Sequence, residues 1–506
     1  MTIAEFIDRI KEEFGFEPTP DQLLALRTFG RFLADRGERV AMILRGSAGT
    51  GKTSLAGAMM RTLHRLGQKL TLMAPTGRAA KVLSLGSGLP TYTVHRRIYR
   101  EKAYQGIDGQ FCLNDNRYRD MLFVVDEASM VSSIPTDGSA FGSGSLLDDL
   151  VQYVYSGENC RLMLIGDSAQ LPPVGEAEAP ALSAGVLGGY GLRVYECDLN
   201  AVLRQSRESG ILYNATFIRH LITHDEATEL PRIVFDGFAD VVRLPGNELI
   251  ESLASSYAEV GIDETIVVTR SNKWANVYNQ GIRNRVIDRD DELCSGDMLM
   301  VVRNNYFWTE RLAAATAADG LQPRQPVGQG GEPSALSGPA FLANGDRARV
   351  QRIRNVRDFY GFRFADVTLL FPDYDDFEMQ LTVIMDSLST DAPALTREQI
   401  GQLYDQVMAD YADLPTKADR LKALRKDIYF NALQVKFAYA VTCHKAQGGQ
   451  WQHVYLDQGY MTDDMLTPDY IHWLYTAFTR ATSKLFLVNW PMTQVDEGEH
   501  RVPLRN

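Results

Sequence analysis

The sequence predicts an α/β chain: two parallel sheets covered by helices, with a small hairpin insertion in the first and a small β insertion in the second. Three observations carry this. Short, continuous apolar runs alternate with helical patterns through the first two hundred residues, and a second set of such runs returns towards the C-terminus. Between the sets lies a stretch of short strand-like pieces interrupted by a Gly-, Pro- and Ala-rich segment. Continuous apolar strands separated by helices imply a parallel sheet buried on both faces. The length agrees, since 506 residues at roughly 150 per domain suggest about three domains.

In the first set, VAMIL (40–44), KLTLMAP (69–75), MLFVVDEA (121–128) and RLMLIGD (161–167) read as buried strands. Leu55, Met59, Leu63 and Leu66 recur at helical spacing between the first two. Ahead of the third strand, GIDGQ (106–110) contains Asp108-Gly109, a strong hairpin-turn signal, so a hairpin insertion is expected over 98–120. The second set is TIVVTRS (265–271), HVYLDQ (453–458) and KLFLVNW (484–490), with a helical IHWLYTAFTRAT (471–482) between the last two. The intervening pieces are DMLMVVRN, DRARVQRI, RFADVTLLF and EMQLTVIM, split by a segment (315–340) that is a flexible loop on composition. A charged helical stretch at about 397–428 has no assignment. The expected division is 1–200 for the first α/β domain, 201–294 and 436–506 for the second, and 295–435 for the β insertion. No internal repeat is visible.

Hydrophobic content of 45% and charged content of 23% are those of a globular protein with a sizeable core. The acidic, amphipathic start MTIAEFIDRIKEEFGFEP is not a secretory signal, and no run approaches the ~20 apolar residues of a membrane span. Cys112, Cys160, Cys197, Cys294 and Cys443 lie far apart and form no C-x-x-C pair. A reduced, cytoplasmic setting without structural zinc is therefore expected. The 52 basic and 64 acidic residues leave a net charge of −12. That balance counts against a nucleic-acid partner, which usually leaves a basic footprint. A local basic groove inside an acidic shell would reconcile the two.

The first chemical signal is GSAGTGKT, comprising Gly46, Ser47, Ala48, Gly49, Thr50, Gly51, Lys52 and Thr53, followed by Ser54. It matches G-x-x-x-x-G-K-[ST] between a strand and a helix, the context that confirms a nucleoside-triphosphate loop. Glycines admit backbone N–H groups to the phosphates, and the helix N-terminus adds favourable partial charge. Lys52 would neutralise the β- and γ-phosphates of ATP while Thr53 ligates Mg²⁺. FVVDEAS (123–129) supplies a strand ending in Asp126, placed to hold the metal, and Glu127, placed to polarise the attacking water. Together the two motifs indicate hydrolysis. In TPDQ (19–22), Gln22 completes a capping box with Thr19; it also suits reading an adenine edge, and the two roles are compatible.

Further stretches, in order, are APTGRAAKVL (74–83), TVHR (93–96), GDSAQLPPVG (166–175), LRQS (203–206), TCHKAQGGQW (442–451) and YTAFTRA (475–481). Together with the phosphate loop they resemble the superfamily 1 helicases, in particular the 5′→3′ class typified by RecD and Dda, and the resemblance spans residues 19 to 481. It implies two RecA-like motor domains that open and close a cleft on ATP hydrolysis, with the hairpin as a strand-splitting pin and the β insertion as an SH3-like domain. Position by position, it implies an adenine-reading Gln22, a γ-phosphate sensor at Gln170, and arginines approaching the γ-phosphate at Arg204 and Arg480. It places Thr76, Arg78, His95, Thr442, His444 and Lys445 along the nucleic-acid backbone. Tyr104 and Phe111 flank the expected pin turn. One position departs from the pattern: Gln450 stands in QGGQW where the family often has Glu, so a role that needs a charge there is in doubt. The implied activity is ATP-dependent unwinding of DNA by a monomer that walks 5′→3′ on single strands and engages duplex junctions, with ATP and Mg²⁺ as cofactors and no membrane partner. An RNA-directed helicase of the same superfamily and an ATP-dependent DNA clamp that recruits repair partners are the rival readings.

Overall fold

The computed structural model describes residues 2–101, 111–135, 142–201, 209–224, 229–318, 341–374 and 376–496. Tyr104, the Asp108-Gly109 turn, Arg204 and most of the 315–340 segment therefore lie outside the described residues. The chain divides into two compact units, one drawn from residues 1–75, 79–249 and 446–506, the other from 76–78 and 250–445.

The first unit holds a six-stranded sheet in the order Thr91–Thr93, Leu70–Ala74, Leu122–Val125, Arg161–Gly166, Val40–Gly46, Arg193–Leu199, with every neighbouring pair parallel. Its central strands are largely apolar because both faces are covered. Val40, Met42 and Leu44 face one core with Leu55, Met59 and Phe29, whereas Ala41 and Ile43 face another with Val94 and Leu150. The helix Lys52–Arg65 buries Leu55, Met59 and Leu63 as its spacing predicts, but Leu66 caps its end and is partly exposed. Two strands escape the sequence reading. Thr91–Thr93 is too short to announce itself, and Arg193–Leu199 is an edge strand whose outward Arg193, Glu196 and Asp198 break the apolar run. Strands Tyr99–Glu101 and Phe111–Leu113 pair antiparallel, forming the base of the expected hairpin.

A second parallel set follows, with strands in both units. In the first unit, Val241–Leu244, Ala481–Val488 and Trp451–Asp457 lie side by side, with the packed helices Gly210–His224 and Pro468–Phe478. The latter helix ends four residues before the expected 482. The Arg480 carbonyl accepts from Trp451 N–H at 2.9 Å, drawing the backbone out of the helix and into the sheet ladder. In the second unit, Thr265–Thr269 pairs parallel with Ala440–Thr442 beside the helix Asn272–Arg285.

The β insertion is a closed barrel of Met298–Val301, Arg347–Phe359, Phe362–Phe371, Phe377–Ile384 and Leu433–Phe437, a form that fits an SH3-like domain. Four of its strands match the strand-like pieces read from sequence; Leu433–Phe437 does not. The segment expected as loop from 315 is still helical at its start, in the helix Phe307–Ala318. The unassigned stretch resolves into helices Arg397–Asp410 and Lys417–Leu424. Leu403, Val407 and Leu424 pack there on Phe362, Phe364 and Ile384 of the barrel. Among the described residues no helix is long and apolar enough to cross a membrane.

Candidate active site

Three loops leave the C-terminal ends of adjacent strands in the first sheet: the phosphate loop after Val40–Gly46, Asp167–Leu171 after Arg161–Gly166, and Asp126-Glu127 after Leu122–Val125. That end of a parallel sheet is where α/β folds bind ligands. Gly49 and Gly51 hold φ of 77° and 74°, a left-handed conformation that glycine adopts without strain. A Cβ on Gly46 would stand 3.0 Å from Thr50 Oγ1 and 3.1 Å from Leu199 Cβ, so that position has no room for a larger residue. Thr50 Oγ1 donates to Ser47 O at 2.8 Å and Lys52 Nζ to Gly46 O at 3.1 Å. The loop is thus pre-formed, with its lysine folded back over it. The helix starts at Lys52, so its first N–H groups lack intrahelical partners and suit an anion.

Asp126 and Glu127 behave as a linked pair. Burial and the neighbouring Glu127 charge raise the Asp126 carboxyl to about 6, against the pull of Lys52. Asp126 Oδ1 accepts from Glu127 N–H at 2.9 Å. Glu127 itself sits at φ 51°, a strained backbone for a residue with a side chain. Its Oε2 is buried without a hydrogen-bond partner, and so are Ser129 Oγ and Gln170 Oε1. Such orphans are rare in native interiors; others lie elsewhere, at Thr62 and Glu176 for example, but two of these three fall on residues the sequence marks for hydrolysis, Glu127 and Gln170.

Gln22 is 1% exposed. Its Oε1 accepts from Thr19 N–H at 2.9 Å, completing the capping box, while its Nε2 donates to Thr50 O at 2.9 Å. The cap and the tie to the phosphate loop therefore coexist. Arg480 is 2% exposed and donates to Thr476 O at 3.0 Å, Gly449 O at 3.1 Å and Thr479 Oγ1 at 3.1 Å. None of these bonds goes to the phosphate loop.

Two residues that sequence reasoning missed do reach it. Arg219 Nη1 donates to Ser47 Oγ at 3.0 Å. Tyr475 OH accepts from Ala48 N–H at 3.1 Å and donates to Asp167 Oδ2 at 2.6 Å. Burial and the adjacent Asp167 hold this phenol far above its ordinary range, so it remains a donor. The same helix continues the link. Thr476 Oγ1 accepts from Leu171 N–H at 2.7 Å, His472 Nδ1 lies 2.9 Å from Ala169 O, and Gln447 Nε2 donates to Leu171 O at 2.7 Å. The signal for Tyr475 lies in the YTAFTRA motif, which carries Tyr475 and Thr476 as well as Arg480.

Of the residues expected along a nucleic acid, Thr76, Arg78, Thr442, His444 and Lys445 fall in the second unit and His95 in the first. The turn at Gly77 sits against the barrel: a Cβ there would stand 2.5 Å from Tyr374 OH and 2.6 Å from Asp346 Oδ1. Tyr374 OH donates to Asp346 at 3.0 Å. Burial and the Arg347 charge lower Arg78 to about 10, and burial with the Lys436 charge lowers Lys445 to about 8. Lys445 Nζ donates to Asn344 Oδ1, just ahead of the strand Arg347–Phe359. Burial lowers His95 to about 4, so at neutral pH it acts as an uncharged ring. Phe111 lies in the second hairpin strand.

An AAA domain family matches residues 27–211 and a UvrD-like helicase C-terminal domain family matches 437–488. The ATP-dependent RecD2 DNA helicase of Deinococcus radiodurans is 30% identical over 216 residues, 41% of this chain. Over these stretches the chain is similar to superfamily 1 helicases of the RecD type. The first family match takes in the phosphate loop, Asp126, Glu127 and Gln170, and the second takes in Thr442 to Arg480. An uncharacterized protein of Methanocaldococcus jannaschii is 37% identical over 145 residues, 26% of this chain. The matches span 11% of the archaeal protein and 26% of RecD2. Among solved structures, the crystal structure of Pif1 helicase from Bacteroides in complex with ADP-AlF3 and ssDNA is similar at 13% identity and TM-score 0.45, covering 95% of this chain and 94% of that one.

Proposed function

We propose that this chain is an ATP-dependent DNA helicase that translocates 5′→3′ on single-stranded DNA and unwinds duplexes. The observation that carries the reading is the pair of buried, unpartnered oxygens, Glu127 Oε2 and Gln170 Oε1, beside a pre-formed phosphate loop. Leaving a buried acceptor unpaired costs about 1–3 kcal/mol, a cost relieved when a ligand completes the site. In this reading the loop N–H groups and Lys52 hold the ATP phosphates. Glu127 Oε2 accepts a proton from the water that attacks the γ-phosphorus, and Gln170 Oε1 contacts the same water or phosphate. Thr53 and Asp126 would hold Mg²⁺, whose charge offsets that of the phosphates. The buried Asp126 carboxyl, raised to about 6, fits such a cation, which would favour its ionised form. Arg204 and Arg480 are assigned to the closed, hydrolysing state, in which Arg480 exchanges carbonyl partners for phosphate oxygens. Gln22 adds adenine contacts through its remaining N–H and lone pair.

Motor domains at 1–200 and at 201–294 with 436–506, and an SH3-like domain at 295–435, complete the proposal. So does a pin at 98–120 bearing Tyr104 and Phe111. Polarity rests on the family resemblance, and cytoplasmic location on the cysteine usage. The test is strand separation with ATP and Mg²⁺ on matched duplexes bearing a 5′ DNA tail, a 3′ DNA tail or a 5′ RNA tail. Unwinding of the 5′ DNA-tailed duplex alone is expected. A preference for the 3′ tail overturns the polarity, a preference for RNA overturns the substrate, and ATP-dependent binding without unwinding favours a clamp.

A further inference from the structure

This acidic chain carries a basic surface on the barrel, apart from every motif above. Strand Arg347–Phe359 has register shifts between Val350 and Arg352 and again between Arg354 and Arg357. Such bulges re-aim the side chains that follow. Val350 is buried, and an uninterrupted strand would turn Arg352 to the same inner face. The first shift instead sends Arg352 and Arg354 outward, where both are exposed. Across the ladder, Arg352 stands opposite Thr368, which stands opposite Gln380; Arg354 stands opposite Asp366, which stands opposite Thr382. The result is two polar rows over a buried apolar row of Val367 and Leu381. The helix Phe307–Ala318 adds Arg311, lying over the Trp308 ring at 5.6 Å. Together these elements line a cavity of about 450 Å³.

Its charge is not neutralised. The lining includes Arg311, Arg352, Arg354 and Arg357 against the single carboxylate of Asp366. That carboxylate is already taken by Arg357, through Nη1 at 2.7 Å and Nη2 at 2.8 Å. Among the described residues, Arg311, Arg352 and Arg354 have no ion-pair partner. Arg352 and Arg354, two residues apart on a strand, are spaced about 7 Å along it, which suits successive phosphates of an extended strand. Arginine forks bind phosphate oxygens bidentately, and Thr and Gln side chains are common partners of backbone phosphates. The apolar lining residues are Val367 and Leu381, beneath the polar rows, with Trp308 and Ile428 beside them; Trp308 already lies under the Arg311 guanidinium, so four arginines set the character of the face.

We propose that this face of the barrel is a second nucleic-acid site, which grips the sugar-phosphate backbone of a single strand through Arg352 and Arg354. The inference rests on the nucleic-acid reading above and extends it to residues that no helicase motif contains. It also supplies the local basic surface that the net charge of −12 made necessary.

The test is fluorescence anisotropy of the full chain with labelled oligo-dT over a salt series. Two lengths are used, one of roughly 8 nucleotides that fills a single site and one of roughly 30 that can reach a second. Two single-strand phosphate contacts contribute about 1.4 to the slope of log K against log salt, or roughly tenfold in affinity near 0.2 M salt. R352Q/R354Q should lose that much on the long strand and nothing on the short one, while R352K/R354K should keep the slope. Unchanged long-strand binding by the glutamine variant overturns the proposal while leaving the helicase reading intact. So does an acidic peptide that displaces nothing yet binds in an Arg352- and Arg354-dependent way. A wild-type chain that binds neither oligonucleotide would instead sink the helicase reading itself.

Discussion

Asp126 and Asp297 are both buried aspartates, yet their surroundings differ in kind. Asp297, fully buried where the barrel begins, accepts from Arg283 Nε and Nη2 at 3.2 and 3.1 Å and from Arg289 Nη1 at 2.8 Å. It also accepts from Tyr439 OH at 2.9 Å and Cys294 N–H at 2.7 Å. Every lone pair is used, and two guanidinium groups balance the charge. Asp126 lies beside a second carboxylate, Glu127, and Glu127 Oε2, Ser129 Oγ and Gln170 Oε1, in loops at the same end of the sheet, lack partners. A saturated network of this kind holds a fold together. An unsaturated one, kept at a cost in stability, marks a place that something else completes.

Breaking each site should therefore have opposite consequences. Glu127→Gln removes the proposed proton acceptor and should lower ATP turnover by about 10²–10⁴-fold while nucleotide affinity and melting temperature hold or rise. Phosphate release, nucleotide titration and a thermal scan check the three parts. Asp297→Ala leaves the buried Arg283 without its counter-charge and should cost about 3–5 kcal/mol of stability, read by denaturant unfolding of the full chain. If Glu127→Gln proves the more destabilising of the two, the distinction between completed and open sites is wrong.

Smaller changes sharpen it. Tyr475→Phe strands Ala48 N–H and Asp167 Oδ2 and should cost about 1–3 kcal/mol. Because Tyr475 joins the phosphate loop to Asp167, nucleotide binding should then protect the protein less against unfolding than it does in the wild type. Thermal shifts with and without ATP test this. The smallest effect is on pH. The Asp126 carboxyl is raised from 3.8 to about 6, so its contribution to the stability of the ligand-free fold is full below about 4 and is lost as pH rises through 6. Mg²⁺ needs the carboxylate, so Mg²⁺-dependent nucleotide affinity should fall as pH drops below 6. In Glu127→Gln that midpoint should move lower, since part of the shift comes from the Glu127 charge.

Legibility in the sequence followed the range of the interactions. The phosphate loop, its helix beginning at Lys52 and the strand leading to Asp126 were readable because neighbours in sequence make them. The capping box at Thr19 and Gln22 was readable for the same reason. The apolar runs revealed the buried central strands but not Arg193–Leu199, whose edge position permits charge. The helices Arg397–Asp410 and Lys417–Leu424 were visible as helical, but their purpose needed Phe362 and Phe364 of the barrel. Tyr475 and Arg219 reach the phosphate loop from 427 and 172 residues away, and no periodicity encodes such a meeting. Arg352 and Arg354 read as ordinary strand charges until the bulge before them set their direction.

The open carboxylate site should hydrolyse ATP in response to a nucleic-acid strand held elsewhere on the chain. This is tested most directly by steady-state phosphate release from the wild-type protein, with ATP and Mg²⁺ saturating, as single-stranded DNA is titrated in. Turnover should be low without DNA, rise to saturation as the strand is added, and show no such rise in Glu127→Gln. Turnover indifferent to DNA, or a full response in the Glu127→Gln protein, would contradict this.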